Sequence, residues 1–224
     1  MKRARPHASP SRKARPAGAP ACDATVRGKL LDAAADLFDR KGYAATTVRE
    51  IVAVAGVSKP ALYYYYGSKE GIYLALMGTA FAQAEQTLVE ARESAGSAVG
   101  RIFHLCARNY DLFRRNLKVA RVMYAIYYGP PQGAPAFDFD AYHLRFQGQL
   151  RALLEEGMQA GEVRRMRVED AMWAVIGALN IAMEVELCHP ELSPGPAGLE
   201  RLLRAVFNGV AVPAARPEKK GVRR

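Results

Sequence analysis

From Thr25 to Val210 the apolar residues recur at three- and four-residue spacings, and no stretch alternates apolar with polar as a half-buried strand would. That periodicity restricts the chain to helices packed on helices, an all-α fold. Leu30, Leu31, Ala34, Leu37 and Phe38 make one face of a first helix that starts near Thr25 and stops at Gly42. A second starts at Thr47, where Thr47-Val48-Arg49-Glu50 has the capping-box pattern, and ends near Ala55-Gly56. Ser58 is placed to cap a third, very short helix holding Pro60, Ala61 and Leu62. Gly67-Ser68 ends that helix and caps a longer fourth one running through Ile72, Leu76 and Phe81. Beyond residue 95, helices are expected at 97–116, 117–128, 138–160, 167–188 and 197–211, separated by Gly129 to Pro135, Gly157 to Gly161 and His189 to Gly198.

The chain has 224 residues, half of them apolar, enough for one or two domains with a substantial core. Its formal charge of +10 is concentrated at the ends. Residues 1–22 carry Lys2, Arg3, Arg5, Arg12, Lys13 and Arg15 with no acid; residues 213–224 carry Arg216, Lys219, Lys220, Arg223 and Arg224 against Glu218. Residues 23–212 are therefore neutral. Both ends are expected to be disordered basic arms, since neither has the apolar content to offset its ordering entropy.

Several functions are excluded at this level. No apolar run approaches the ~18 residues of a membrane span; the longest, Ala171–Met183, is interrupted by Asn180. The first 22 residues lack the apolar centre of a secretory signal. A cytoplasmic chain with no membrane partner is expected, and three isolated cysteines (Cys22, Cys106, Cys188) fit a reducing compartment. His104 with Cys106, His143, and Cys188 with His189 match no metal-site spacing, so neither metal nor cofactor is expected. No GxGxxG, GxSxG, HExxH or P-loop pattern is present and no paired acid–base motif stands out, which argues against an enzyme.

The informative region is Gly42 to Glu70. Two short helices joined by Ala55-Gly56-Val57 make a helix-turn-helix: the glycine permits the sharp turn, and Ala53 and Val57 are small enough for close crossing. The second helix of such a pair presents its N-terminal residues to the DNA major groove. Here Ser58 and Lys59 lead, Pro60 and Ala61 offer a small apolar surface, and Tyr63, Tyr64 and Tyr65 carry hydroxyls. Helical geometry lets only some of these tyrosines face outward. Leu62 and Tyr66 are assigned to the core and Tyr63 and Tyr64 to the DNA face, while Tyr65 fits either.

Leu31-Asp32-Ala33-Ala34 through Leu37-Phe38, Gly42-Tyr43, Ala45-Thr46-Thr47-Val48, Ala55-Gly56-Val57-Ser58-Lys59, Leu62-Tyr63-Tyr64-Tyr65 and Ser68-Lys69-Glu70 together resemble the N-terminal domain of TetR-type transcriptional regulators. The resemblance implies a homodimeric, all-helical DNA-binding protein with a ligand-responsive C-terminal domain. It implies phosphate contacts at Thr47, Tyr63 and Lys69, and a groove-facing surface of Ser58, Lys59, Pro60, Ala61 and Tyr64. Thr46 is either structural or a secondary contact. Two positions depart from the family: Pro60 stands where Gly is common, and Tyr66 where Phe is common. Pro60 lacks the N–H that meets a phosphate, but it can pack on a thymine methyl.

In the second half, ten of the twenty aromatic residues fall between positions 103 and 146, a concentration that suits the walls of a small-molecule pocket. The candidate lining is Phe103, Tyr110, Phe113, Tyr124, Tyr127, Tyr128, Tyr142 and Trp173, with His104, Asn109, Gln147, Asn180 and Glu184 as polar partners. Asn180 and Glu184 are one helical turn apart among apolar residues and need a ligand or a second subunit to satisfy them if buried. Leu199, Leu202, Leu203, Val206, Phe207 and Val210 form a clean stripe. Packing within the subunit would explain it as well; the resemblance assigns it, with Ile176, to a four-helix dimer interface.

The expected organisation is thus a disordered arm (1–22), a helix-turn-helix DNA-binding domain (23–70), a helical effector-binding and dimerisation domain (71–212) and a disordered tail (213–224). The expected function is that of a homodimeric repressor on palindromic double-stranded operator DNA, released by a small apolar or aromatic effector. The alternative is a related DNA-binding protein governed by a protein partner or by DNA alone. The helix-turn-helix span itself is nearly neutral, with seven bases and six acids, so the N-terminal arm is the natural source of sequence-independent attraction. Deleting residues 1–22 is expected to weaken binding to all DNA sequences alike and to flatten the salt dependence, measured by fluorescence anisotropy across a salt series; an unchanged salt slope would contradict this.

Overall fold

The computed structural model describes residues 20–209. Residues 1–19 of the expected arm, the whole expected tail and Val210 lie outside the described residues. Among the described residues there are α-helices, one short 3-10 turn at Pro190–Leu192, and no strand. The helices are α1 (Pro20–Ala45), α2 (Val48–Ala55), α3 (Lys59–Tyr66), α4 (Lys69–Glu93), α5 (Ala98–Arg115), α6 (Leu117–Tyr127), α7 (Phe139–Gln159), α8 (Val168–Cys188) and α9 (Gly195–Asn208). The all-α expectation holds, and the later helices fall close to their expected spans. α1 begins ahead of Thr25, at Pro20.

The stop and start signals act as expected, with one exception. Gly42 takes φ 81° and ψ 163°, a conformation outside the helix, and sets the last turn of α1 off from the rest. Thr47 closes a complete capping box: its Oγ1 accepts from Glu50 N at 3.3 Å while Glu50 Oε2 accepts from Thr47 N at 2.9 Å. Gly56 ends α2 at φ 64°, ψ 36°, turning the chain toward α3. Ser68 Oγ accepts from Gly71 N at 3.1 Å and starts α4. Ser58 is the exception, making no side-chain cap. Pro60 has no N–H to offer it, and the Ala61 N–H goes to the Ser58 carbonyl at 3.0 Å.

Two apolar cores result. The first gathers Leu30, Phe38 and Tyr43 from α1, Ile51 from α2, Leu62 from α3, and Ile72, Tyr73 and Met77 from α4. Val122 of α6 and Phe139 of α7 belong to it as well. The second gathers Leu88 of α4 with Ile102, Leu105, Leu150, Leu154, Val175, Leu179, Leu199 and Leu203 of α5, α7, α8 and α9. The expected boundary at residue 70 is therefore no break, because α4 runs through it and serves both cores. Phe81 touches both.

α8 carries an 18-residue window of mean hydropathy 1.5, long and apolar enough to cross a membrane, which the search for an unbroken apolar run missed. In the fold, Met172, Val175, Leu179, Ala182 and Met183 bury one face of it in the second core. Its buried charge is Glu186, which is 7% exposed, and not the expected Asn180 or Glu184, both of which are exposed. Glu186 accepts from Tyr110 Oη at 2.8 Å, from Arg114 Nε at 3.2 Å and from the Ser193 hydroxyl. Burial alone would raise the carboxyl pKa, but the three donors and the Arg114 charge outweigh it and hold the pKa below its ordinary value. The network fastens α8, α5 and the turn before α9 at one point.

Because its folded pKa is depressed, Glu186 stabilises the protein fully above the ordinary carboxyl pKa of 4.5 and loses that contribution as the pH falls below it. Glu186→Gln is expected to cost about 1–3 kcal/mol at pH 7, in the range of hydrogen bonds to a charged group. The deficit should shrink as the pH falls through the carboxyl range, as read by urea unfolding at neutral and acidic pH.

Candidate functional site

α3 presents an open surface built from its own spacing. Leu62 is fully buried and Tyr66 is half-buried, its hydroxyl donating to the Arg27 carbonyl at 2.9 Å. With those two turned inward, Ser58, Lys59 and Pro60 are exposed, and Tyr63 and Tyr64 are 47% and 70% exposed. Ala61 and Tyr65 are half-buried, Tyr65 standing edge-on to Tyr64 at 4.9 Å. Lys59 Nζ lies 5.7 Å from the centre of the Tyr63 ring. Ser58 makes no side-chain cap and is exposed with the others. The outward and inward assignments along Leu62 to Tyr66 are those expected from helical geometry.

Three of the candidate contacts already have partners within the protein. Thr46 is 1% exposed and spends its hydroxyl on the Gly42 carbonyl at 2.8 Å, so it secures the α1 kink and does not share the exposed surface. Lys69 is half-buried, with its ammonium 4.2 Å from the centre of the Tyr43 ring and donating to the Tyr43 carbonyl at 3.1 Å. Thr47 is exposed, but its hydroxyl proton goes to Glu50 Oε2 at 2.7 Å. Lys41 and the Thr47 donors hold the Glu50 carboxyl down at about 2, so this cap stays ionised at any ordinary pH.

The second half encloses a cavity of about 350 Å3 between α4, α5, α6, α7 and α8. Of the expected lining, Phe113, Tyr124, Tyr127 and Tyr128 reach it, as do Tyr142, Trp173 and Asn180. Asn109 and Gln147 also face it. Phe103, His104, Tyr110 and Glu184 do not. Phe103 packs on Phe207 at 5.6 Å, Tyr110 is buried on Glu186, and His104 and Glu184 are exposed and outside the lining. Phe146, part of the aromatic concentration at 103–146, lines the cavity as well, while sequence reasoning missed Phe81, Asp140 and His143 as lining residues. Phe81 sits among the rings of Phe137, Phe139 and Tyr142 at 5.0, 5.8 and 5.8 Å and forms part of the wall. Asp140 and His143 stand one turn apart on α7, a spacing visible in the sequence but uninformative without the cavity. Among the described residues no group of His, Cys, Asp and Glu is arranged to hold a metal ion.

α6 joins the two regions. Val119, Met123, Tyr124 and Tyr127 line the cavity, while Val122, 2% exposed, is buried in the first core against α1. Lys118 and Arg121 pair with Asp36 and Asp39 of α1 at 2.5 and 3.5 Å. These pairs are exposed and contribute about 0–1 kcal/mol each, so the apolar contact of Val122 dominates. Past α6, Gln132 Oε1 accepts from Tyr43 N at 3.0 Å, so the loop reaches the kink at Gly42.

The expected dimer residues divide. Leu199 and Leu203 are buried in their own subunit's core and not open to a partner, while Ile176, like Trp173, lines the cavity and is only half-buried. The stripe on α9 is wide enough to pack both ways, which its period alone does not reveal. Val206 and Phe207 are half-buried against the second core. Leu202 is exposed, and so are Trp173 (55%) and Ile181 (48%) on α8.

Residues 30–76 match the family model described as bacterial regulatory proteins, tetR family. A transcriptional activator, FasR of Mycolicibacterium smegmatis, is 38% identical over 95 residues, covering 39% of this chain and 43% of that protein. The chain thus spans less than half the length of this curated relative. Among solved structures, the TetR-family regulator PfmR of Thermus thermophilus is similar over 82% of this chain and 99% of its own, with a TM-score of 0.67 and 25% identity. FadR of Bacillus subtilis, solved with stearoyl-CoA, covers 82% and 99% at a TM-score of 0.63 and shares the fold at 19% identity. Residues 30–76, which span the helix-turn-helix, thus belong to the tetR family of bacterial regulatory proteins, and the chain shares the fold of the TetR-family regulator PfmR.

Proposed function

We propose that the chain is a homodimeric repressor that binds palindromic operator DNA through α3 and is released by a small apolar or aromatic effector in the C-terminal cavity. The observation that carries the DNA-binding half is the open surface of Ser58, Lys59, Pro60, Tyr63 and Tyr64 on one short helix behind an ordered turn. Tyr63 and Lys59 suit phosphates and Pro60 suits a thymine methyl, while Tyr64, the most exposed aromatic of the four, suits a base edge or backbone. Thr47, Lys69 and Tyr65 are secondary contacts in this reading, because each already has a partner within the protein. A role on chromosomal DNA places the protein in the cytoplasm.

A cavity of about 350 Å3 with aromatic walls favours a small effector over control by a protein partner or by DNA alone. α6 supplies the route for a response, since one helix touches both the cavity and the α1 core. An effector shifts the DNA-binding equilibrium only by its differential affinity for the two states; moving it from 1:99 to 99:1 takes about 5.5 kcal/mol. Dimerisation is supported by the exposed apolar residues Trp173, Ile181 and Leu202 on adjacent helices. Symmetric operators require such a two-fold pair.

Two measurements test this. Lys59→Ala is expected to weaken binding to all sequences with a shallower salt slope, whereas Tyr64→Ala is expected to cost about 1–3 kcal/mol on the operator and little on random DNA. Gel shifts on the protein's own upstream DNA read both; equal losses on specific and random DNA for Tyr64→Ala would remove it from recognition. In the second, Ile181→Glu combined with Leu202→Glu is expected to convert the dimer to a monomer in sedimentation and to abolish operator binding while the helical circular dichroism is kept. A dimer persisting in the double variant would place the interface elsewhere.

A further inference from the structure

The fixed charge at the cavity is negative. Asp140 and His143 line it, whereas no lysine or arginine among the described residues does. The cations on the surrounding helices are committed to partners outside it: Arg115 to Asp111, Lys118 to Asp36, Arg121 to Asp39 and Arg145 to Glu85. An anionic ligand in this space would gain no counter-charge from the lining and would meet the exposed Asp140 carboxylate.

The two α7 groups are arranged as acceptors. Asp140 Oδ1 accepts from Tyr127 Oη at 2.8 Å, leaving Oδ2 without a hydrogen-bond partner among the described residues. His143 Nδ1 lies 3.1 Å from the Phe139 carbonyl oxygen, which only accepts, so Nδ1 carries a proton, and in the tautomer with a single ring proton Nε2 is the acceptor. Asp140 and His143 are separated by three positions and so share one side of the helix. Beside them, Tyr124, Tyr127 and Tyr128 form a cluster with centroid distances of 5.5 Å and 4.7 Å. Aromatic faces next to a carboxylate are a favourable setting for a cation.

We propose that the cavity binds a protonated arylalkylamine, its ring among the aromatic side chains and its ammonium group donating to Asp140 beside His143 and the tyrosine cluster. The proposal rests on the reading of the cavity as the effector site and narrows its ligand class. It separates this chain from its structural neighbour solved with stearoyl-CoA, a ligand whose phosphates need cationic partners.

The test uses the full-length protein and three ligands of one shape: 1-naphthylmethylamine as the ammonium, 1-naphthylmethanol and 1-naphthoate. Calorimetry measures binding, and quenching of Trp173, the single tryptophan of the chain and a cavity residue, reports the location. The amine is expected to bind about ten-fold or more tighter than the naphthoate, with Trp173 quenched. Asp140→Asn should weaken the amine by about ten-fold and leave the alcohol unchanged, which also shows that the variant cavity is intact. Equal binding of amine and naphthoate, a uniform loss of all three ligands in Asp140→Asn, or no binding by any would overturn the proposal. A separate arm adds the amine to the protein–operator complex. Selective binding without release upholds the ligand class and overturns the effector reading alone.

Discussion

Val122 is buried in the packing of α1, while its neighbours on α6, Val119 and Met123, line the cavity. A helix of eleven residues is too short to act as two independent pieces. Any displacement of its cavity side is therefore felt by the α1 core, because close-packed interiors transmit shape and do not absorb it. The exposed ion pairs to Asp36 and Asp39 fix the register of this contact more than its strength. Gln132 adds a second point of attachment at the Gly42 kink, where a side chain on residue 42 would meet its Oε1 at 2.8 Å.

The far side of the cavity is held differently. There the buried Glu186 carboxylate, with Tyr110, Arg114 and Ser193, fastens α8 to α5 and to the turn leading into α9. Removing one member leaves a buried charge short of donors, which is costly in a way that loss of an apolar contact of similar size is not. One wall of the cavity thus rests on a polar anchor and the opposite wall on apolar packing against α1. The asymmetry gives a ligand a stiff side to bind against and a side whose movement reaches the helix-turn-helix.

The helices and the inward–outward division of α3 were legible in the sequence because caps, glycines and apolar period act within one or two turns. Thr47 with Glu50, Gly56, and Leu62 beside Tyr64 are such local matters. What was illegible depends on residues distant in sequence. Thr46 and Thr47 are adjacent hydroxyls, yet one is buried at the kink and the other exposed. Ser58 looked like a cap until Pro60 removed one of its donors. Phe103 and Tyr110 share the aromatic cluster of the pocket residues but lie on the side of α5 that meets α8 and α9. Leu199 and Leu203 sit in the same stripe as Leu202, and only the packing of α9 onto α8 separates the buried from the exposed. Period alone locates a face; it does not name what covers it.

The distribution of charge follows the same division between what is local and what is placed by the fold. The helix-turn-helix span is nearly neutral in sequence, and the fold commits several of its bases further: Lys41 to Glu50, Lys69 to the Tyr43 ring and carbonyl, and Arg27 against Tyr66. On the proposed DNA role, Lys59 is then the exposed base on α3 itself, and its ammonium lies close to the Tyr63 ring. On the same reading so sparse a charge supplies little of the counterion release that drives nonspecific affinity, and the basic N-terminal arm is the proposed source of the rest. Attraction and discrimination are then carried by different parts of the chain. On this reading changes in the N-terminal arm, and at Lys59, scale affinity for all DNA, whereas changes at Tyr64 alter which sequence is preferred.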